Sequence, residues 1–120
     1  MKEFNTSTKE IGDVNVVYLN GFLDAHTAPV LEDSFSSLVK QNKYKLVVNL
    51  KGLDYISSAG LGVFMAFIEK MRENNGDIKL TSMNEKVFNI FDLLGFPLLY
   101  EIFDNEEAAV KKFSGDKLEK

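Results

Sequence analysis

The segment YKLVVNL, residues 44–50, is a short continuous apolar run. A run of this kind is expected of a strand covered on both faces of a sheet, and the flanking sequence supplies the covers. Upstream, Leu31, Phe35 and Leu38 recur at helical spacing while Glu32, Ser36 and Lys40 face away. Downstream, Leu61, Phe64, Met65, Ile68 and Met71 form a second, wide apolar stripe. A covered strand between two amphipathic helices implies a sheet that is at least partly parallel.

The other segments extend the pattern. FNTSTKEI and VNVVYLNGFL read as a hairpin around Gly12-Asp13, with alternation through Val14, Val16 and Tyr18. Thr27 is placed to cap the first helix, and Pro29 fits its first turn. NNGD, residues 74–77, ends the second helix, and IKLTSM reads as a strand. Asn84 is expected to cap a third helix with Val87, Phe91 and Leu94 inward and Gly95 as its stop. LLYEIF reads as a last strand and NEEAAVKKF as a closing helix begun by Asp104 or Asn105, with a polar, frayed tail over 114–120. The order is β-β-α-β-α-β-α-β-α. It predicts an α/β fold with a mixed sheet of about five strands, an N-terminal β-hairpin and about four helices. One domain should span residues 1–120, with its core at about 4–113.

Composition removes several functions. With 45% hydrophobic residues the chain can build a core. A net charge of −4 and dispersed lysines lack the footprint of a nucleic-acid binder. The apolar run Leu61–Ile68 is too short for a membrane span, and MKEFNTSTKE has no signal-peptide blocks, so a cytoplasmic location is expected. No cysteine is present, which excludes disulfides and thiolate chemistry. A single histidine, His26, rules out a multi-histidine metal site within one chain and reads as a solvent-facing turn residue. No acidic loop has the spacing for Mg²⁺ or Ca²⁺, and no cofactor is implied.

The chemistry concentrates at DYISSAGLGVF, residues 54–64, where a strand gives way to a helix that should begin near Ser58. SSAGLGVF has no lysine and the wrong glycine spacing for a P-loop. Gly60-Leu61-Gly62 supplies only two glycines of a dinucleotide fingerprint, and Ile56 stands where a nucleophile elbow needs glycine. An enzyme is not expected. Two readings stay open. Ser57 or Ser58 caps the helix and the glycines let helix and sheet approach closely. Alternatively, with Leu61, Phe64, Met65 and Ile68 inward, the wheel turns Ala59, Gly62, Val63 and Ala66 outward, and charges appear only later at Glu69, Lys70 and Glu73. A bare small-residue surface beside a hydroxyl suits another protein's backbone.

VVNLKGLDYISSAGLGVF resembles the signature of the STAS domain, specifically the bacterial anti-sigma factor antagonists. The resemblance runs from about Phe4 to Phe113. LNGFLDAHTAPVL is similar to the family's G-x-L-D segment, and NEKVFNIFDLLGF to its third helix. It implies an antagonist whose unphosphorylated form binds an anti-sigma factor that is also a serine kinase, freeing a sigma factor. Phosphorylation ends that binding, and a serine phosphatase restores it. Aligning Gly60-Leu61-Gly62 with the family's G-L-G puts the modified serine at Ser58, and Asp24 on the acidic loop residue beside it. Many relatives have aspartate at Ser57 and serine or threonine at Ala59, so Ser57 is the competing hydroxyl. The contact surface so implied comprises Asp24, Ser57, Ser58, Ala59, Gly60, Gly62, Val63 and Ala66. For Asp24 a turn role is equally compatible with the sequence. The alternative is a stand-alone STAS module of another complex, without regulatory phosphorylation.

Overall fold

The computed structural model describes residues 4–96 and 99–118, with side chains to residue 113. The element order is the expected one: β1 (Asn5–Ile11), β2 (Val14–Leu23), α1 (Ala28–Lys40), β3 (Lys45–Ile56), α2 (Ser58–Glu73), β4 (Asp77–Thr81), α3 (Glu85–Leu93), β5 (Ile102–Phe103) and α4 (Glu106–Leu118). The five strands lie in sequence order in one sheet. β1 and β2 form the antiparallel hairpin, with Gly12 at φ +62° in its turn, and β2 to β5 run parallel. Because each parallel strand is added on the same side of the last, one crossover hand places the connecting helices together on one face.

That face carries the main core. Leu31, Phe35 and Leu38 of α1, Leu61, Phe64 and Met71 of α2, and Val87 and Phe91 of α3 pack on Leu46, Val48, Leu50, Ile78 and Leu80. Phe64 is central: its ring meets Phe35 at 5.7 Å and Phe91 at 6.1 Å, both edge-on. Such pairs add about 0.5–1.5 kcal/mol each beyond their area burial. α4 closes the opposite face, where Ala109 and Phe113 pack on Val14, Val16 and Val47.

Several boundaries differ from expectation. β3 continues six residues past Leu50, to Ile56. Its inward residues step from Leu50 to Leu53 to Ile56, because the β2–β3 register shifts twice there. The last strand is only Ile102–Phe103; the N–H groups of Leu99 and Tyr100 both bond to the Phe96 carbonyl, which turns the chain before it can extend. Leu98 of that expected strand lies outside the described residues. Asn84 caps α3 as expected, accepting from the Val87 N–H at 2.8 Å, and Gly95 follows at φ +77°. Leu94 is a correction: it sits at the helix end and is exposed, not inward. Asn105 is the residue that caps α4, accepting from Ala108 N–H at 2.8 Å. That helix continues to Leu118, through most of the segment expected to fray.

Candidate functional site

The carboxyl ends of β2 and β3 stand side by side, with Leu23 opposite Ile56. In open α/β sheets ligands and partners are met at this end of the strands. From it two loops depart, one through Asp24 into α1 and one through Ser57 into α2. The Ser57 N–H donates to the Leu23 carbonyl at 2.9 Å, which holds the second loop to the first strand.

The two serines separate clearly. Ser57 is the N-cap residue of α2, but its side chain makes no capping bond. Its Oγ is buried and has no hydrogen-bond partner among the described residues. Ser58, the first helical residue, is exposed. The earliest intrahelical bond is Leu61 N–H to the Ser57 carbonyl at 3.1 Å, and the first turn carries no acidic side chain. Ser58 therefore opens the first turn, at the positive end of the α2 dipole, where the main-chain N–H groups lack helical partners.

The three small residues differ in role. Gly60 is buried: a Cβ there would lie 2.6 Å from Leu23 Cγ and 3.1 Å from Ile56 Cγ1. It lets α2 sit directly on the strand ends, so Gly60 belongs to the core and not to the outer contact surface. Gly62 has nothing within 4 Å of an added Cβ. With Ala59 and Ala66 it lies exposed, as the wheel required.

Val63 and Met65 exchange places relative to expectation. Val63 is only 8% exposed and Met65 is 56% exposed. The cause is α1, which packs along the Val63 flank of α2 and brings Phe35 against Phe67 at 5.5 Å. That neighbour turns the buried arc by roughly 60° at 100° per residue. The outer surface is thus Ser58, Ala59, Gly62 and Ala66, with Met65 on its α3 side.

Asp24 builds the adjoining loop. Its Oδ1 accepts from the N–H groups of His26 at 2.9 Å and Thr27 at 3.1 Å, a turn closed by the aspartate itself. Thr27 holds the N-cap position of α1, yet its hydroxyl donates to the Phe22 carbonyl and accepts from Asp24 N–H, each within 2.9 Å. The Asp24 carboxylate thus fixes the loop beside Ser57, and its turn role is the one its bonds express. His26 is exposed in this turn. Phe22 and Tyr55 are exposed on the same rim; no periodicity in the sequence marks them, and Tyr55 lies beyond the apolar run that ends at residue 50.

Among the described residues no group of three His, Asp or Glu side chains could hold a metal ion. No helix among them is long and apolar enough to cross a membrane.

Fold and site together place an exposed helix start at the carboxyl ends of two paired strands, and the chain belongs to the STAS domain family, whose pattern matches residues 5–109. It is similar to the anti-sigma-B factor antagonist of Bacillus subtilis, 29% identical over 89% of this chain and 97% of that protein. The solved anti-sigma factor antagonist of Mycobacterium paratuberculosis superposes with a TM-score of 0.84 at 23% identity, covering 92% of this chain and 93% of that one. The Bacillus antagonist SpoIIAA superposes in both its unphosphorylated and phosphorylated forms. The TM-scores are 0.72 and 0.70, at 18% identity, over 92% and 90% of this chain and 98% of each of those.

Proposed function

We propose that this chain is an anti-sigma factor antagonist working as a phosphorylation-controlled partner switch, with Ser58 as the phosphoacceptor. The unphosphorylated protein binds an anti-sigma factor with serine kinase activity and so frees a sigma factor; phosphorylation ends the complex, and a serine phosphatase restores it. The protein supplies no catalysis of its own.

The observation that carries this reading is the contrast between the two hydroxyls: Ser58 is exposed, whereas Ser57 Oγ is buried. A kinase acting on the folded domain reaches the first and not the second. Support also comes from the relatives, which are named as antagonists of anti-sigma factors, and from SpoIIAA, which shares the fold and exists in a phosphorylated form.

The switch follows from where charge is tolerated. At the α2 N-terminus an anion is favoured by about 0.3–1 kcal/mol, so the domain itself accepts the phosphate. An interface closed over a neutral hydroxyl does not. The modification adds about −1.5 to −2 charges, and one unit pair of like charges at 4 Å costs about 4 kcal/mol at an effective dielectric of 20. That is on the order of a thousandfold in affinity. Ala59, Gly62 and Ala66 permit close approach of the partner, and Asp24 fixes the loop that flanks it.

The test is titration of the purified anti-sigma factor of the source organism against three proteins. Ser58→Ala should bind like the wild type, and Ser58→Asp should lose binding with its circular dichroism unchanged. Equal binding by both variants would sink the switch.

A further inference from the structure

Ala59, Gly62 and Ala66 allow a partner to come close, but such small side chains offer little area to hold it. Besides Met65 on the flank of α2, the larger exposed side chains beside it are Phe22 and Tyr55, which are 40% and 36% exposed with ring centroids 6.0 Å apart. They are partners in the β2–β3 register, one residue before Leu23 and Ile56. Those two residues point into the core beneath α1 to α3. Alternation along each strand therefore turns Phe22 and Tyr55 to the other face.

On that face α4 covers the opposite end of the sheet. Its buried side chains pack on Val14, Val16 and Val47, and Glu106 in its first turn bonds Asn49 at 3.1 Å. The carboxyl end of the face is left open, and the aromatics stand on it.

The pairing depends on the two irregularities in β3. The six residues of β2 from Tyr18 to Leu23 match the eight of β3 from Asn49 to Ile56. The second shift lies between the Gly21–Leu53 and Phe22–Tyr55 pairs. Without it the residue opposite Phe22 would be Asp54. Bulges recur beside functional sites, where they re-aim a side chain; here the result is an exposed aromatic pair in place of an aromatic beside a carboxylate.

Tyr55 and Ser58 are three steps apart in the chain, so their Cα atoms lie within about 11 Å of each other. A standard interface takes about 800 Å² from each partner, a patch on the order of 30 Å across. A partner that closes over Ser58 to that extent reaches the strand ends that carry the aromatic pair, and buried aromatic side chains are the usual centres of binding energy. Resting on the reading of Ser58 as the switch, we infer that Phe22 and Tyr55 are the apolar anchor by which the same anti-sigma factor is gripped and selected. That partner offers the pair an apolar pocket next to the surface that meets Ser58.

The experiment is calorimetric titration of the purified anti-sigma factor kinase with the wild type, Ser58→Asp and the double variant Phe22→Ser/Tyr55→Ser, each checked by thermal melting. The double variant should melt like the wild type and bind about 10- to 100-fold more weakly. As a kinase substrate it should show a raised KM with kcat at saturation unchanged. Should the double variant not fold, Phe22→Glu alone takes its place, with the same expectation. If the double variant binds within about twofold of wild type while Ser58→Asp has lost binding, the anchor is refuted and the switch stands. If Ser58→Asp binds normally while the double variant does not, the switch is refuted and the aromatic contact stands.

Discussion

The N–H of Ser57 and the carbonyl of Leu23 meet at 2.9 Å, just beyond the paired Leu23 and Ile56 that end the two strands. This one bond decides which serine faces outward. With the Ser57 main chain tied to β2, its hydroxyl is enclosed, and the next residue emerges at the start of α2. A capping serine would have behaved differently, turning its oxygen to the helix N–H groups.

Ser57→Ala should therefore leave stability unchanged or raise it by up to about 1 kcal/mol, because a buried hydroxyl without a partner is itself unfavourable. Loss of a true capping serine typically costs about 1 kcal/mol. Denaturant unfolding distinguishes the two signs. Phosphate incorporation by the kinase should stay at one group per chain in Ser57→Ala and vanish in Ser58→Ala.

The two exposed-looking glycines of the motif should respond in opposite ways to alanine. Gly60→Ala pushes a Cβ to 2.6 Å from Leu23 Cγ, and overpacking of this kind costs about 1–3 kcal/mol. Gly62→Ala meets nothing within 4 Å, so its better helix propensity should stabilise the fold by about 0.5–1 kcal/mol. In the partner titration Gly62→Ala should nevertheless weaken binding, since the added methyl lies on the proposed contact surface. Equal melting temperatures for the two variants would contradict the packing assigned to Gly60.

The element order and the helix caps were legible in the sequence because local signals agree with tertiary structure there: Asn84 and Gly95 bracket α3, and Gly12-Asp13 closes the hairpin. Legibility failed where neighbours decide. The apolar run predicts β3 only to Leu50, since its two bulges break the period and neither alternation nor a continuous apolar run marks Lys51 to Ile56. Hydrophobic spacing places the stripe of α2 on Leu61, Phe64, Met65, Ile68 and Met71, because a wheel knows hydrophobicity but not which flank a second helix will cover. α1 covers Val63 and leaves Met65 in solvent. At the site, the G-L-G spacing pointed to Ser58 but could not say that Ser57 is enclosed; that needed the bond to Leu23.

Asn84 links the third helix to the irregular part of β3. Its side chain accepts from Val87 N–H at 2.8 Å and donates to the Leu53 carbonyl at 3.2 Å. Asn84→Ala removes the cap and leaves a carbonyl without that donor, so a loss of about 1–2 kcal/mol is expected. Asn84→Asp keeps the acceptor for Val87 and loses only the donor, and should recover part of that loss in urea unfolding. Equal losses for the two variants would mean that the cap contributes nothing.

Tyr100 makes stability depend on pH on the alkaline side. The residue is 3% exposed, its ring stacks on Phe96 at 5.0 Å, and its hydroxyl is buried with no partner among the described residues. Burial pushes the phenol pKa well above its ordinary value of 10.0; the Arg72 guanidinium opposes that shift and the Asp77 carboxylate adds to it. The fold thus favours the protonated phenol. Its contribution is fully present below the unfolded value near 10 and is lost as pH rises from there toward the folded value. Tyr18 is raised in the same direction, chiefly by burial and then by Glu106. Stability should accordingly fall above about pH 10. Tyr100→Phe removes the unpartnered hydroxyl without emptying its space, so at neutral pH it should be neutral or stabilising by about 1 kcal/mol. Its alkaline limb should be shallower than the wild type's, with Tyr18 accounting for part of what remains. Urea unfolding of both proteins between about pH 8 and 11 measures the difference, and superimposable limbs would show that the Tyr100 phenol ionises as easily in the fold as in the unfolded chain.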